Sequence, residues 1–212
     1  MIQPINMTVR FNTPAFLGDF EQQAQWRSPP FKAQLRQWWR VVQARRGIGV
    51  NEMRTLEGHL FGSAASDDES TQSAVRIRLG KWQKGAGDTT VSRPVISGKN
   101  STKADLYLGY GPITLKERRT AIAAGDSTRL RIALVPHPGS TLAAGRQADD
   151  IGKALALMDR FGTLGSRSRN AWGSYTLDGA PQLDLDEYLL DWREALGEAW
   201  VRGVGRDEHG AL

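Results

Sequence analysis

Apolar and polar residues alternate strictly over 5–12, with Ile5, Met7, Val9 and Phe11 on one face and Arg10 on the other. That period of two is the signature of a half-buried strand. It returns at Val75–Leu79, where Arg76 and Arg78 alternate with apolar residues, and over 128–135, where Arg129 and Arg131 oppose Leu130 and Ile132. Shorter strand candidates are 106–108 and 175–177. Between these segments the period changes to that of helices. Ser28 as N-cap, followed by Pro29 and Pro30 in the first turn, predicts a helix over 28–46 that ends at Gly47. Its buried stripe would be Phe31, Leu35, Trp38, Trp39 and Val42, although the adjacent Trp38 and Trp39 cannot both point inward. A shorter helix over 51–61 sets Met53, Leu56 and Leu60 in register before Gly62, and another over 147–161 buries Ile151, Leu155 and Met158. A last helix is expected over 186–200, its acidic first turn matching the helix dipole, with a frayed tail beyond Gly203.

The resulting order, strand, helix, strand, strand, helix, strand, is that of an α+β ferredoxin-like (RRM-like) βαββαβ fold. It has an antiparallel sheet, long polar insertions at 63–73 and 84–103, and an extra C-terminal helix. Residues 1–180 would form this domain and 181–212 the C-terminal helix and tail. Both main helices would cover one face of the sheet. Arg10, Arg76, Arg78, Arg129 and Arg131 would then share the open face, as solvated residues or as a surface that meets RNA.

The chain has 212 residues with 40% apolar content, enough to bury a core. It has no cysteine, which excludes disulfides and thiolate metal sites, and no apolar run approaches the ~20 residues of a membrane span. A cytoplasmic location without membrane partners is expected. Charge is divided unevenly. From Asp184 onward there are eight acidic and three basic residues, which leaves 25 basic against 15 acidic before it. A body with a balance of +10 should attract polyanions.

Two segments concentrate the candidate chemistry. Lys32, Arg36 and Arg40 recur every fourth residue on one face of the 28–46 helix, close to Arg27. In the glycine-rich segment 162–174, Gly162 and Gly165 permit close backbone approach. Ser166, Arg167, Ser168 and Arg169 offer donors to phosphate, and Trp172 is a candidate for stacking on a base. A glycine-rich connection from helix to strand, with Trp172 in the core, reads the same residues equally well. Arg45 and Arg46 are assigned to general surface. A Walker-type loop is excluded, because it lies between a strand and a helix and this one follows a helix.

Taken together, Thr13-Pro14-Ala15-Phe16-Leu17-Gly18, the stretch Trp26-Arg27-Ser28-Pro29-Pro30-Phe31 continuing to Arg40, Leu60-Phe61-Gly62, and Phe161-Gly162-Thr163-Leu164-Gly165-Ser166-Arg167-Ser168-Arg169 resemble the RAMP superfamily. The similarity is to the first subunit of the Cmr complex of type III-B CRISPR systems, and it covers residues 13–174. It implies a ferredoxin-like fold and a glycine-rich loop that contacts RNA. The implied role is that of a non-catalytic subunit engaging guide RNA and target RNA beside other RAMP subunits, in antiviral defence. Members of that family usually continue into a second such domain, and this chain ends one helix after the loop.

No catalytic residue, metal site or cofactor is assigned. His59, His137 and His209 show no metal-ligand spacing. The alternative is a metal-independent endoribonuclease that processes precursor guide RNA, for which His59 with Arg27 or Lys32 would have to supply the base and the phosphate donors. Asp67, Asp68 and Asp88 lie in polar loops and are read as solvated.

Overall fold

The computed structural model describes residues 3–63, 70–82, 107–113, 119–135, 144–196 and 204–209. The period-two segments form one four-stranded sheet of β1 (Ile5–Phe11), β2 (Val75–Leu79), β3 (Ser127–Leu134) and β4 (Tyr175–Asp178). The strand order is β2-β3-β1-β4 and every neighbouring pair is antiparallel. Strands β1 and β2 are linked through α1 (Ser28–Ala44) and α2 (Val50–Phe61), and β3 and β4 through α3 (Ala144–Phe161). Each of these connections passes over one intervening strand, so the architecture is α+β.

Alternation decides which side is dry. Met7, Val9 and Phe11 from β1, Leu130 and Ile132 from β3, and Tyr175 and Leu177 from β4 share one core with Phe31, Leu35 and Trp39 of α1 and with Ile151, Leu155 and Met158 of α3. At about 1.5–3 kcal/mol per fully buried large side chain, this face supplies most of the cohesion. Trp39 is buried against Phe61, whereas Trp38 is half-buried on Phe161, with ring centroids 5.6 Å apart, and its indole N–H donates to Gln34.

Four expectations need correcting. The N-cap of α1 is Arg27, without a side-chain bond, and Ser28 is already helical ahead of the two prolines. Tyr107 and Leu108 lie in a helical turn, not a strand. The C-terminal helix does not begin at Asp186. A 3-10 turn (Leu185–Tyr188), a strand β5 (Leu189–Asp191) and a short helix α4 (Trp192–Leu196) occupy that segment. The residues taken for a frayed tail include β6 (Val204–Arg206), which pairs in parallel with β5.

The acidic segment docks on the C-terminal end of α1 and on the middle of α3 at Lys153. Tyr188 is buried in the main core, Arg45 donates to the Glu187 carbonyl at 2.6 Å, and Lys153 lies 3.7 Å from the Glu187 carboxylate. Arg46 pairs with the buried Asp150, so neither Arg45 nor Arg46 is general surface. The insertion at 84–103, and with it Asp88, lies outside the described residues, as do Asp67, Asp68 and His137. Among the described residues no helix is long and apolar enough to cross a membrane.

Candidate nucleic-acid interface

The glycine-rich segment is folded onto residues 12–17, about 150 positions away in sequence. Isolated bridges join Phe16 to Ser166 and Thr163 to Ser174. The Ser166 N–H donates to the Phe16 carbonyl at 3.0 Å, the Gly173 N–H to the Pro14 carbonyl at 2.9 Å, and the Ser174 N–H to the Thr13 hydroxyl at 2.9 Å. Residues 13–16 and 166–174 are therefore hydrogen-bonded to each other. Gly173, at φ +69°, has room for no side chain: a Cβ would stand 1.8 Å from the Leu164 carbonyl oxygen. Between these anchors Ser168–Asn170 form a 3-10 turn, flanked by Arg167 and Ala171 in the left-handed region. Asn170 ties the turn down by donating to the Leu108 carbonyl at 2.9 Å. Arg167 and Arg169 project into solvent from it, and Ser168 is half-buried.

Two residues assigned to RNA contact are instead buried. Trp172 is 5% exposed and packs on Phe16, ring centroids 5.0 Å apart, in a small cluster with Ile113 and Ala121. It closes the floor of the loop and offers no face to a base. Gly162 follows α3 where a Cβ would fall 2.1 Å from the Tyr175 hydroxyl. Its smallness serves packing.

Beside the loop opens a cleft of about 500 Å³. Its walls are the 16–22 segment, Arg27 and Pro30 at the start of α1, Arg119, and Gly165 with Ser166. The Nε atoms of Arg27 and Arg119 are buried and make no hydrogen bond among the described residues. Leaving such a donor unmade is costly in a folded protein. The first turn of α1 contains no acidic residue and its N-cap contributes no side-chain bond, so the positive end of the helix dipole adds to the same field. Asp19 also lines the cleft and sets one negative charge against the two guanidiniums, with its Oδ1 accepting from the N–H groups of Glu21 and Gln23, each at 2.9 Å. The arrangement suits an anionic group that accepts from two guanidiniums at once. Arg119 went unassigned from sequence, since its only signal, the pair Arg118-Arg119 in a polar stretch, looks like any solvated run.

On the other flank of the α1 start lies a groove of about 480 Å³, lined by Pro29, Lys32, Arg36, Gln37, Arg40 and Phe61. Here the basic face is partly spent within the protein. Glu57 of α2 is buried and accepts from Arg36 Nε and from Arg40 through Nε at 3.0 Å and Nη2 at 2.6 Å. Arg36 and Arg40 are thus held as a structural triad with Glu57, not as free phosphate forks. Lys32 has no carboxylate partner among the described residues. Burial, then the neighbouring Arg36 and Arg76, hold its ammonium below the ordinary lysine value. Burial and Arg36 lower the Arg40 guanidinium in the same way.

The structure therefore brings Arg27, Gly165 and Ser166 together with Arg119 in one cleft, keeps Arg167 and Arg169 exposed on the adjoining turn, and places Lys32, Arg36 and Arg40 in a second groove. His59 is exposed on the last turn of α2 and lines neither. Among the described residues no group of three or more His, Asp or Glu is placed to hold a metal ion. No protein-family model matches the chain, and no curated protein matches it either.

Proposed function

We propose that the chain is a non-catalytic RNA-binding subunit of a cytoplasmic type III CRISPR RNA-guided complex of the RAMP superfamily. In this reading it contacts guide or target RNA through the cleft beside the glycine-rich loop. The observation that carries the RNA-binding part is that Arg27 and Arg119 line one cleft at the start of α1 and that each has a buried Nε with no hydrogen-bond partner among the described residues. A phosphodiester in the cleft would meet both guanidinium groups at once. The strand order, with β3 between β1 and β2 and β1 between β3 and β4, fits the split ferredoxin-like arrangement that the resemblance implies. The placement within a CRISPR complex rests on the motifs, of which the 13–18 and 161–169 stretches meet in space.

The test measures fluorescence anisotropy of a labelled single-stranded RNA at low salt, with wild type and with the R27A/R119A variant. Loss of two charge-assisted contacts, each worth about 1.5–3 kcal/mol, should weaken binding by at least roughly a hundredfold. Wild type that fails to bind at low salt would end the reading. RNA should also emerge intact, and cleavage of a repeat RNA that disappears in His59→Ala would put the endoribonuclease in its place. Membership of the complex is tested by purification from cells, where guide RNA with a repeat-derived 5′ tag and other RAMP subunits should accompany the chain.

A further inference from the structure

The face of the sheet turned away from α1 and α3 carries the exposed side chains of Arg10, Arg76, Arg78, Arg129 and Arg131. Directly opposed residues of an antiparallel pair project to the same side. Arg78 is opposite Arg131, and Arg131 is opposite Asn6, which makes one row across β2, β3 and β1. The next row is Arg129, Thr8 and Asp178. Arg10 is paired with Asp178 at 3.3 Å. Among the described residues no carboxylate pairs with Arg76, Arg78, Arg129 or Arg131. Like charges directly opposite each other on neighbouring strands destabilise a sheet, so Arg78 and Arg131 cost stability as long as nothing neutralises them.

What else the face offers narrows the occupant. Apart from the arginines it presents Asn6, Thr8, Ser127, Ala133, Thr176 and Asp178. Among the described residues of the four strands it has no aromatic ring on which a base could stack and no large apolar side chain to anchor a protein, and the exposed Trp82 and Val135 stand just beyond the ends of β2 and β3. Its positive field continues round edge strand β2, where Arg76 acts on Lys32. We infer that this face is a second nucleic-acid surface, distinct from the cleft, which holds the phosphodiester backbone without reading the bases. Charge complementarity with a row of phosphates relieves the Arg78–Arg131 repulsion.

The experiment uses the full chain with R78Q/R131Q and three labelled partners: a uridine oligomer, an abasic oligodeoxynucleotide of equal length, and polyglutamate. Affinity for both oligonucleotides should fall by the same factor, roughly tenfold at low salt, and the salt slope for the uridine oligomer should shrink by about 1.4, or ~0.7 for each lost contact. The thermal midpoint should hold or rise as the like-charged pair disappears. R78K/R131K, which keeps the charge, should retain most of the affinity. Unchanged binding, a loss on the uridine oligomer alone, or a lowered midpoint in both variants would overturn the inference. Polyglutamate bound as tightly as RNA, and lost in step with it, would reassign the face to an acidic protein. R27A/R119A is measured alongside. A loss there with none in R78Q/R131Q rejects only the sheet surface, and no loss in either rejects both sites.

Discussion

Gly165 meets the backbone of Phe16 so closely that a Cβ on it would stand 2.7 Å from the Phe16 carbonyl oxygen, the same oxygen that accepts the Ser166 N–H. Gly165 is also at φ +100°, a conformation that L side chains rarely adopt. Gly165→Ala therefore combines backbone strain with a clash against main chain that cannot rotate away. A loss of about 2–4 kcal/mol is expected, or roughly 5–15 °C in the thermal midpoint. A midpoint within a degree or two of wild type would show that the loop is free to lift off the 13–17 segment.

That contact also shows what the sequence could and could not disclose. The glycines of the loop were legible as sites of close approach, but not what they approach, because Phe16 lies about 150 residues earlier. Strands such as Val75–Leu79 and Ser127–Leu134 were legible since a period of two with arginine on one side has few other meanings. The same reasoning failed for Leu189–Asp191. Its parallel partner, Val204–Arg206, is non-local, and the intervening acidic residues suit a helix start equally well. Burial of Trp172 depends on Phe16, Ile113 and Ala121, and the binding of Arg36 and Arg40 to Glu57 spans two helices. Pattern along one element carries neither fact.

The Glu57 triad separates structural from ligand-binding arginines. Glu57 is nearly inaccessible, while the side chains of Arg36 and Arg40 remain 45% and 36% exposed. Glu57→Gln removes the buried anion and keeps an acceptor, so stability should fall by about 1–3 kcal/mol, moderated by the solvent that reaches both guanidiniums. Affinity for RNA at low salt should move the opposite way, since the groove gains positive charge. A variant that loses stability and RNA affinity together would mean that the triad shapes the RNA site itself.

Asp126 gives the fold a specific acid sensitivity. Burial pushes its pKa up, but hydrogen bonds from Lys81 at 2.6 Å and from the Trp26 indole at 3.0 Å, with the Lys81 charge and the Ser127 N–H, outweigh that and hold it below the ordinary carboxylate value. A carboxylate whose pKa is lower folded than unfolded contributes stability above the unfolded value of about 3.9 and loses it as pH falls through the folded one. Asp126→Asn should therefore lower stability by about 1–2 kcal/mol at pH 7. Thermal melts should show the gap between variant and wild type closing as pH falls from about 5 toward 2. A gap that persists unchanged at the acid end would assign the loss to packing instead of charge.

Arg167 and Arg169 stand exposed on the 3-10 turn that adjoins the cleft, held in place by Asn170 and by the bridge from Ser166 to Phe16. Neither makes an ion pair among the described residues, and Arg167 is already in the left-handed region, where alanine is no worse placed than arginine. R167A/R169A should therefore leave the thermal midpoint within a degree or two, as surface changes of about half a kcal/mol do. If the turn grips a phosphate backbone, RNA affinity should nevertheless drop by roughly 2–4 kcal/mol, taking ~1–2 per contact. The control must remove equal charge without touching packing. Arg45 and Arg46 are unsuitable because they bind Glu187 and Asp150, whereas Arg54 on α2 and Arg146 on α3 are exposed and free of carboxylate partners among the described residues. Titration of one RNA with both double variants at two salt concentrations decides the matter. Equal losses would make the turn part of a diffuse basic surface, and a loss confined to R167A/R169A would tie the glycine-rich loop to RNA.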